Sequence, residues 1–395
     1  MAYAPIHPTP LSIITEVEFL VAVEKEGHSY NATASEIDTQ NTSSQRQKWA
    51  CPSQADDPSI EVLHQCKAVL SRDNNSVIIR HNEAHLTERS WQSARFDSWI
   101  VQPSHSSFAS SSSPKQYDWS GVKLRSPLIH EPRLKGGDPS SLPVGRCVEA
   151  LRSAVLIHVN STCRFSISLR PRGGFTLVQA KKLATLVWLT ERDLLVPLRH
   201  LSGDAVVVCP RPVTTTSLTA VSRHGQTDVG KTLDPLLEGI MKSHLPTGLK
   251  DAVAQGCLQK LWACPDLAHL SRALRDRHHS ALAFALYVHD DDEAEDSSTS
   301  RCAVASFRCA LWHPRLGLDV SPQWTDLVLA FGRAMSLTSE PFRSLVAEMD
   351  EINRIGRTGG VETACHRTRL MKALGVDDAR CAEWEGILTD CRNGA

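Results

Sequence analysis

The sequence predicts an α+β fold built on a mostly antiparallel sheet. In several segments apolar and polar residues alternate, the period of a strand with one buried face. Others carry the 3.6-residue spacing of a helix with an apolar stripe. The two kinds mix without the regular strand–helix alternation that a parallel sheet needs, and no internal repeat interrupts them. The 395 residues are enough for one large core. That core is placed at 11–348, with exposed insertions near 31–58, 103–116 and 290–300 and a helical extension at 349–395.

The first strand is read from "ITEVEFLVAV", Ile14 to Val23, and a polar stretch at 31–58 follows it. Residues 59–71 have helical spacing through Ile60, Val62, Leu63, Cys66, Val69 and Leu70. Strands are expected near 76–80 and around Trp99–Val101. "SHSSFASSSSP" at 104–114 is of low complexity and reads as a flexible loop, and "YDWSGVKLRSP" alternates again like a strand. A helix is expected at 143–157, then a strand at 163–170 with Phe165, Ile167 and Leu169 on one side and Ser166, Ser168 and Arg170 on the other. Thr176 and Gln179 fit a capping box ahead of "LVQAKKLATLVWLTERDLL". Shorter helices are expected in 210–280, including 265–276. Strands follow at 281–288 and in "RCAVASFRCALW", separated by the acidic run "HDDDEAEDSSTS", read as a solvated loop. One helix is expected at 322–348, and a helical stretch at 362–391 broken near Gly375.

Composition excludes several functions. The formal net charge of -1 leaves no broad basic face for nucleic acid. No apolar run approaches the roughly 20 residues that a membrane span needs. The first ten residues lack the basic start and apolar core of a secretory signal, so the expected location is the cytoplasm. Twelve cysteines form no C-x-x-C pair, and they read as reduced thiols filling apolar space. Cys163 with His158 could in principle form a nucleophile pair, but buried inert thiols are the simpler reading.

The first strand poses the functional question. Glu16 and Glu18 lie two apart, so both point to one face of an otherwise apolar segment. Carboxylates that close repel each other unless water, a metal or a cation lies between them. They are either a solvated polar face or a pair of ligands for a divalent ion. "RPRGGF" offers Arg170, Arg172, Gly173 and Gly174 ahead of a helix N-terminus, a geometry able to hold an anion and equally an ordinary strand-to-helix turn.

The collinear segments "TEVEFL", "WSGVKLRSP", "VNSTCRFSISL", "LVWLTERDLL" and "ASFRCALW", then "WTDLVLAF", resemble the amidoligase family, its fungal branch in particular, over roughly residues 11 to 335. That family belongs with the glutamine synthetase and γ-glutamylcysteine ligase superfamily. The resemblance implies a curved, largely antiparallel sheet with helices on its outer face and ATP and magnesium on its concave side. It implies activation of a carboxylate as an acyl phosphate that an amine then attacks, so the substrates would be a small carboxylate and an amine. By resemblance Glu16 and Glu18 match the metal-binding pair, and Arg308 would hold phosphate.

Other motif positions depart from the family. In G-V-E-L-x-S-P the glutamate is Lys123, and in N-S-S-C-G-L-H-V-H-V the glycine is Arg164 and the histidines are Ser166 and Ser168. E-F-R-Q-H becomes Ser306-Phe307-Arg308-Cys309-Ala310, and W-x-V-x-x-D-x-S keeps Trp99, Val101 and Ser106, with Ser104 at the aspartate. Lys123 for a glutamate and Ser306 for another shift these positions by three charges toward positive, which disfavours a hard cation. Lys123 is therefore expected between Glu16 and Glu18 in the place of the metal, with Arg308 nearby, unless it reaches out to solvent. Glu131, Glu149 or Glu191 could restore a lost ligand. Three functions follow: an ATP-dependent ligase in which Arg164 or Lys123 has a new substrate role, a non-catalytic protein binding a small ligand or a protein partner, or an enzyme acting on an anionic substrate.

Overall fold

The computed structural model describes residues 10–26, 48–73, 75–80, 96–111, 113–131, 143–160, 162–195, 235–249, 251–274, 284–289, 302–309, 321–357 and 363–392. The expected insertion at 290–300 lies outside them, as do residues 31–47 of the insertion at 31–58. Among the described residues no helix is long and apolar enough to cross a membrane.

Strand β1, Leu11–Glu24, is the longest and the centre of the sheet, because its odd-numbered residues are almost all apolar and its length accommodates several partners. After it come helix α1 (Pro58–Leu70), β2 (Val77–Ile79), β3 (Trp99–Pro103), β4 (Tyr117–Arg125) and the short β5 (Ile129–His130). Then follow α2 (Pro143–Ala154), β6 (Ile157–His158), β7 (Phe165–Pro171) and α3 (Leu177–Thr190). Helices α4 (Pro235–His244), α5 (Ala252–Trp262) and α6 (Leu267–Ala273) precede β8 (Phe284–His289) and β9 (Cys302–Cys309). The chain ends in α7 (Ser321–Met335), α8 (Ser339–Arg357), α9 (Thr363–Ala373) and α10 (Asp378–Arg392).

The strands form one open sheet in the order β2-β3-β4-β1-β7-β9-β8, with β5 and β6 pairing the two ends of β1. Every pairing is antiparallel except β2 with β3. The mixed α+β class with a mostly antiparallel sheet is therefore as expected from the alternation. One face is continuous core: Leu11, Ile13, Val17, Phe19 and Val21 of β1 lie level with Val122, Leu124, Phe165, Ile167, Leu169 and Phe307, all essentially inaccessible to water. Helix α7 lies on this face, where a side chain at Gly332 would meet Leu11 and Leu169 and where Phe331 stacks on Phe307 with centroids 5.5 Å apart. Helix α3 starts from the expected capping box, in which Thr176 and Gln179 satisfy each other's backbone N–H groups.

Four expectations change. The segment 103–116 is tied to the sheet at several points: Ser104, Ser107 and Ser113 are buried, Ser104 is bonded to Ser107 and Ser113 accepts from Asn160. Residues 48–51 of 31–58 are not exposed, whereas most of 52–57 are. Trp49 and Cys51 make bridges to Val155 and Val23, and Ala50 packs with Ala22, Tyr117 and Leu156 over one end of the second sheet face. The single helix at 322–348 is two, α7 and α8, separated at 336–338. The boundary placed at 348 consequently falls inside α8, and the C-terminal helices pack on the core through His366 with Asp193 (3.4 Å) and Arg380 with Asp326 (2.8 Å). The break near Gly375 is present, between α9 and α10.

Candidate functional site

The second face of the sheet carries the chemistry, since every even-numbered position of β1 points to it. Register fixes the neighbours. Glu18 lies opposite Lys123 on β4, and its N–H donates to the carbonyl of Arg164 (2.8 Å), which extends the β1–β7 ladder by one step. Glu16 lies opposite Arg125 on one side and Ser166 on the other, and Ser166 in turn lies opposite Arg308 on β9. Two rows thus cross the sheet: Lys123–Glu18–Arg164 and Arg125–Glu16–Ser166–Arg308. Ser168, opposite Ser306 and Ile14, stands one row farther from Glu18.

Each carboxylate has its own cation. Lys123 Nζ lies 3.3 Å from Glu18 Oε1, and Arg125 Nε lies 3.6 Å from Glu16 Oε1. Lys123 therefore pairs with Glu18 rather than bridging both glutamates, and Arg125 serves the other. Sequence reasoning passed over Arg125, although the spacing Lys-x-Arg on a strand paired with Glu-x-Glu is a readable signal for cross-strand ion pairs.

Glu18 is only 5% exposed and is completed by the serine segment. Ser106 donates to its Oε1 (2.8 Å) and Ser107 to its Oε2 (3.3 Å). The segment reaches this position by lying on β4 at Gly121, whose carbonyl accepts from the Ser104 N–H (2.9 Å). A β-carbon at 121 would stand 2.4 Å from the Ser104 carbonyl oxygen and 2.5 Å from that of Ser107, so only glycine admits this approach. The far side of the segment is clamped by Asn160, which donates to the Phe108 carbonyl (2.9 Å) and to Ser113 (3.1 Å), and by Thr162, which accepts from the Phe108 N–H (3.0 Å).

Arg164 and Arg308 are diagonal neighbours across β7 and β9 on this face. Burial, and secondarily Arg308, holds the Arg164 guanidinium below its ordinary value, while Glu18 opposes that shift. Arg308 donates to the Tyr287 hydroxyl and lies 6.0 Å from that ring's centroid.

The remaining candidates stand elsewhere. Arg170 lies on the same face but six residues along β7 from Arg164, about 20 Å at strand rise. It is opposite Ser12 and over the Phe96 ring (5.0 Å). Arg172 is exposed, Gly173 and Gly174 take φ of 85° in a tight turn, and the Gly174 N–H donates to the Pro171 carbonyl (3.0 Å). With Thr176 and Gln179 capping α3, this stretch is built as a strand-to-helix turn. Glu131 pairs with Arg333 (2.9 Å), Glu149 is exposed on α2, and Glu191 is buried at the end of α3. Among the described residues no three metal-capable side chains form a group. Cys163 donates to Asn160 Oδ1 (3.7 Å), and burial pushes its thiol up to about 11, so it is a poor nucleophile.

These residues do not fit the magnesium–nucleotide site implied by the resemblance. Magnesium needs near-octahedral oxygen ligands carrying carboxylate charge. A divalent ion at Glu18 would meet Lys123 and Arg164, and the carboxylate oxygens already accept from two hydroxyls. Searches of protein-family models, curated proteins and solved structures found no match to this chain.

Proposed function

We propose that this chain is a non-catalytic, ligand-binding relative of the amidoligases, in which cations of the protein itself stand where a ligase would hold magnesium. The observation that carries this reading is the Lys123–Glu18 pair at 3.3 Å, closed over by Ser106. A ligase of this lineage needs cations to offset charge on the transferred phosphoryl group. Here both carboxylates are already balanced, so the polar face keeps its shape without metal. The lineage rests on the collinear motifs, and the ligase-like sheet on the antiparallel order around β1.

Isothermal titration calorimetry with ATP, with and without excess magnesium, tests the reading. The expected result is no strengthening by magnesium. Magnesium-dependent nucleotide binding that is lost in Glu18→Gln would overturn it and restore the ATP-dependent carboxylate–amine ligase, to be assayed by ADP release with paired carboxylates and amines. A gain of divalent-cation binding in the Lys123→Ala/Arg125→Ala double variant would support it, since two freed carboxylates would then face each other.

A further inference from the structure

We infer that the Arg164 side of this face binds a dianionic phosphate group without metal, through Arg164, Arg308, Ser166 and Tyr287. The inference deepens the reading above and rests on it. Charge is the first argument. Lys123, Arg125, Arg164 and Arg308 face Glu16 and Glu18 in the two rows, four cations against two carboxylates, which leaves two positive charges. Glu18 is shared between Lys123 and Arg164, so one carboxylate faces two cations and Arg308 is left to the other side of the row.

Geometry is the second argument. Two guanidinium groups held as neighbours on adjacent strands repel each other unless an anion lies between them. The Arg164 Nε–H is shielded from water and has no hydrogen-bond acceptor among the described residues. Shielding a charged donor in this way is costly unless a ligand accepts its hydrogen bond. Ser166, 8% exposed, places a hydroxyl on the strand between Glu16 and Arg308. The Tyr287 oxygen accepts from Arg308, which leaves its own proton free to donate, and at 36% exposure it stands on the solvent side. Arg164, Ser166 and Arg308, on adjacent rows, suit a compact oxyanion, with Tyr287 reaching them from farther along β8 through its bond to Arg308, whereas a dicarboxylate needs two separated clamps. Arginine forks match phosphate oxygens in pairs. Arg164 stands where the resembled motif has glycine, so the arrangement belongs to this chain.

The test is calorimetry in EDTA with inorganic phosphate, phenyl phosphate and succinate. Phosphate and phenyl phosphate are expected to bind, with affinity reduced at least about tenfold in Arg164→Gln and in Arg308→Gln, the loss of a charged hydrogen bond. Equal affinity for both phosphates identifies the free anion as sufficient, and a preference for phenyl phosphate identifies an ester; either supports the inference. Failure of both to bind, unchanged binding in both variants, or succinate binding as well as phosphate overturns it. If Arg164→Gln does not fold, the half-buried Arg308→Gln and a phosphate-induced rise in wild-type melting temperature give the answer. Absent phosphate binding with magnesium-insensitive ATP titrations removes this inference alone. Magnesium-dependent binding lost in Glu18→Gln removes the underlying reading.

Discussion

Two regions bury lysines in opposite ways. On the polar sheet face Lys123 meets a carboxylate, and the pair is tied to its surroundings by hydroxyls. On α3, Lys181 and Lys182 are 1% and 5% exposed, and their ammonium groups meet backbone carbonyls and aromatic rings, with Cys264 near Lys181, His244 near Lys182 and no carboxylate partner for either among the described residues. Lys181 donates to the Trp262 carbonyl (2.5 Å) and lies 5.9 Å from that ring's centroid. Lys182 donates to the Leu337 carbonyl, with Phe342 5.2 Å away. The carbonyls belong to the end of α5 and to the turn between α7 and α8, so these lysines close helix ends where carbonyl groups lack intrahelical partners. The difference lies in what balances the buried charge. Carbonyl dipoles offset a cation only in part, and burial lowers both lysines' proton affinity. Carboxylates offset it fully and can exchange partners with a ligand.

The serine segment is what makes the polar face different, so the strongest way to break the comparison is to dislodge it. Gly121→Ala forces a methyl group against two carbonyl oxygens that cannot yield without moving the segment. A loss of about 3 kcal/mol is expected in urea denaturation, the upper part of the range for overpacking. Faster amide exchange at Ser104, whose N–H donates to Gly121, should accompany it. If the segment were a loose insertion, the variant would stay within about 0.5 kcal/mol of wild type, as surface changes do.

The ion pair itself comes next. Lys123→Met leaves Glu18 buried with two hydroxyls and one neighbouring guanidinium, and about 2 kcal/mol should be lost, less than for a fully buried pair because Lys123 is 26% exposed. Glu18→Gln added to it should cost less than the sum of the single variants, with a coupling of about 1 kcal/mol. Additive effects would mean that Lys123 is held by solvent rather than by Glu18.

The sheet was legible because alternation is local: the side on which Ser166, Ser168 and Arg170 stand follows from period two alone. The serine segment was not, because its composition reads as flexible while its bonds run to Glu18, 88 residues away in sequence. Arg125 was legible only in principle, because its pairing with Glu16 depends on the β1–β4 register, which the sequence alone does not fix. The break between α7 and α8 was hidden by apolar spacing that continues across it. Its signal was the Thr338-Ser339-Glu340-Pro341 stretch, a helix start with proline in the first turn.

The α3 lysines sharpen the comparison through pH. Burial lowers Lys182 from 10.5 to about 8. In the unfolded chain the amine keeps its proton to the higher value, so between these two values the unfolded state binds more protons and stability rises with pH. Below about 8 both states are protonated, and the folded state bears the full cost of the buried charge. Buried thiols oppose this trend above 9, because Cys66 is pushed up to about 12 and its unfolded form ionises first. The comparison is therefore made as the stability difference between wild type and Lys182→Met, from pH 7 to pH 9. The Lys182 contribution should turn in favour of wild type by about 1 kcal/mol over that range. A flat difference for Lys182→Met would mean that the Leu337 carbonyl and the Phe342 ring hold the ammonium as well as water does, and the contrast between the two regions would disappear.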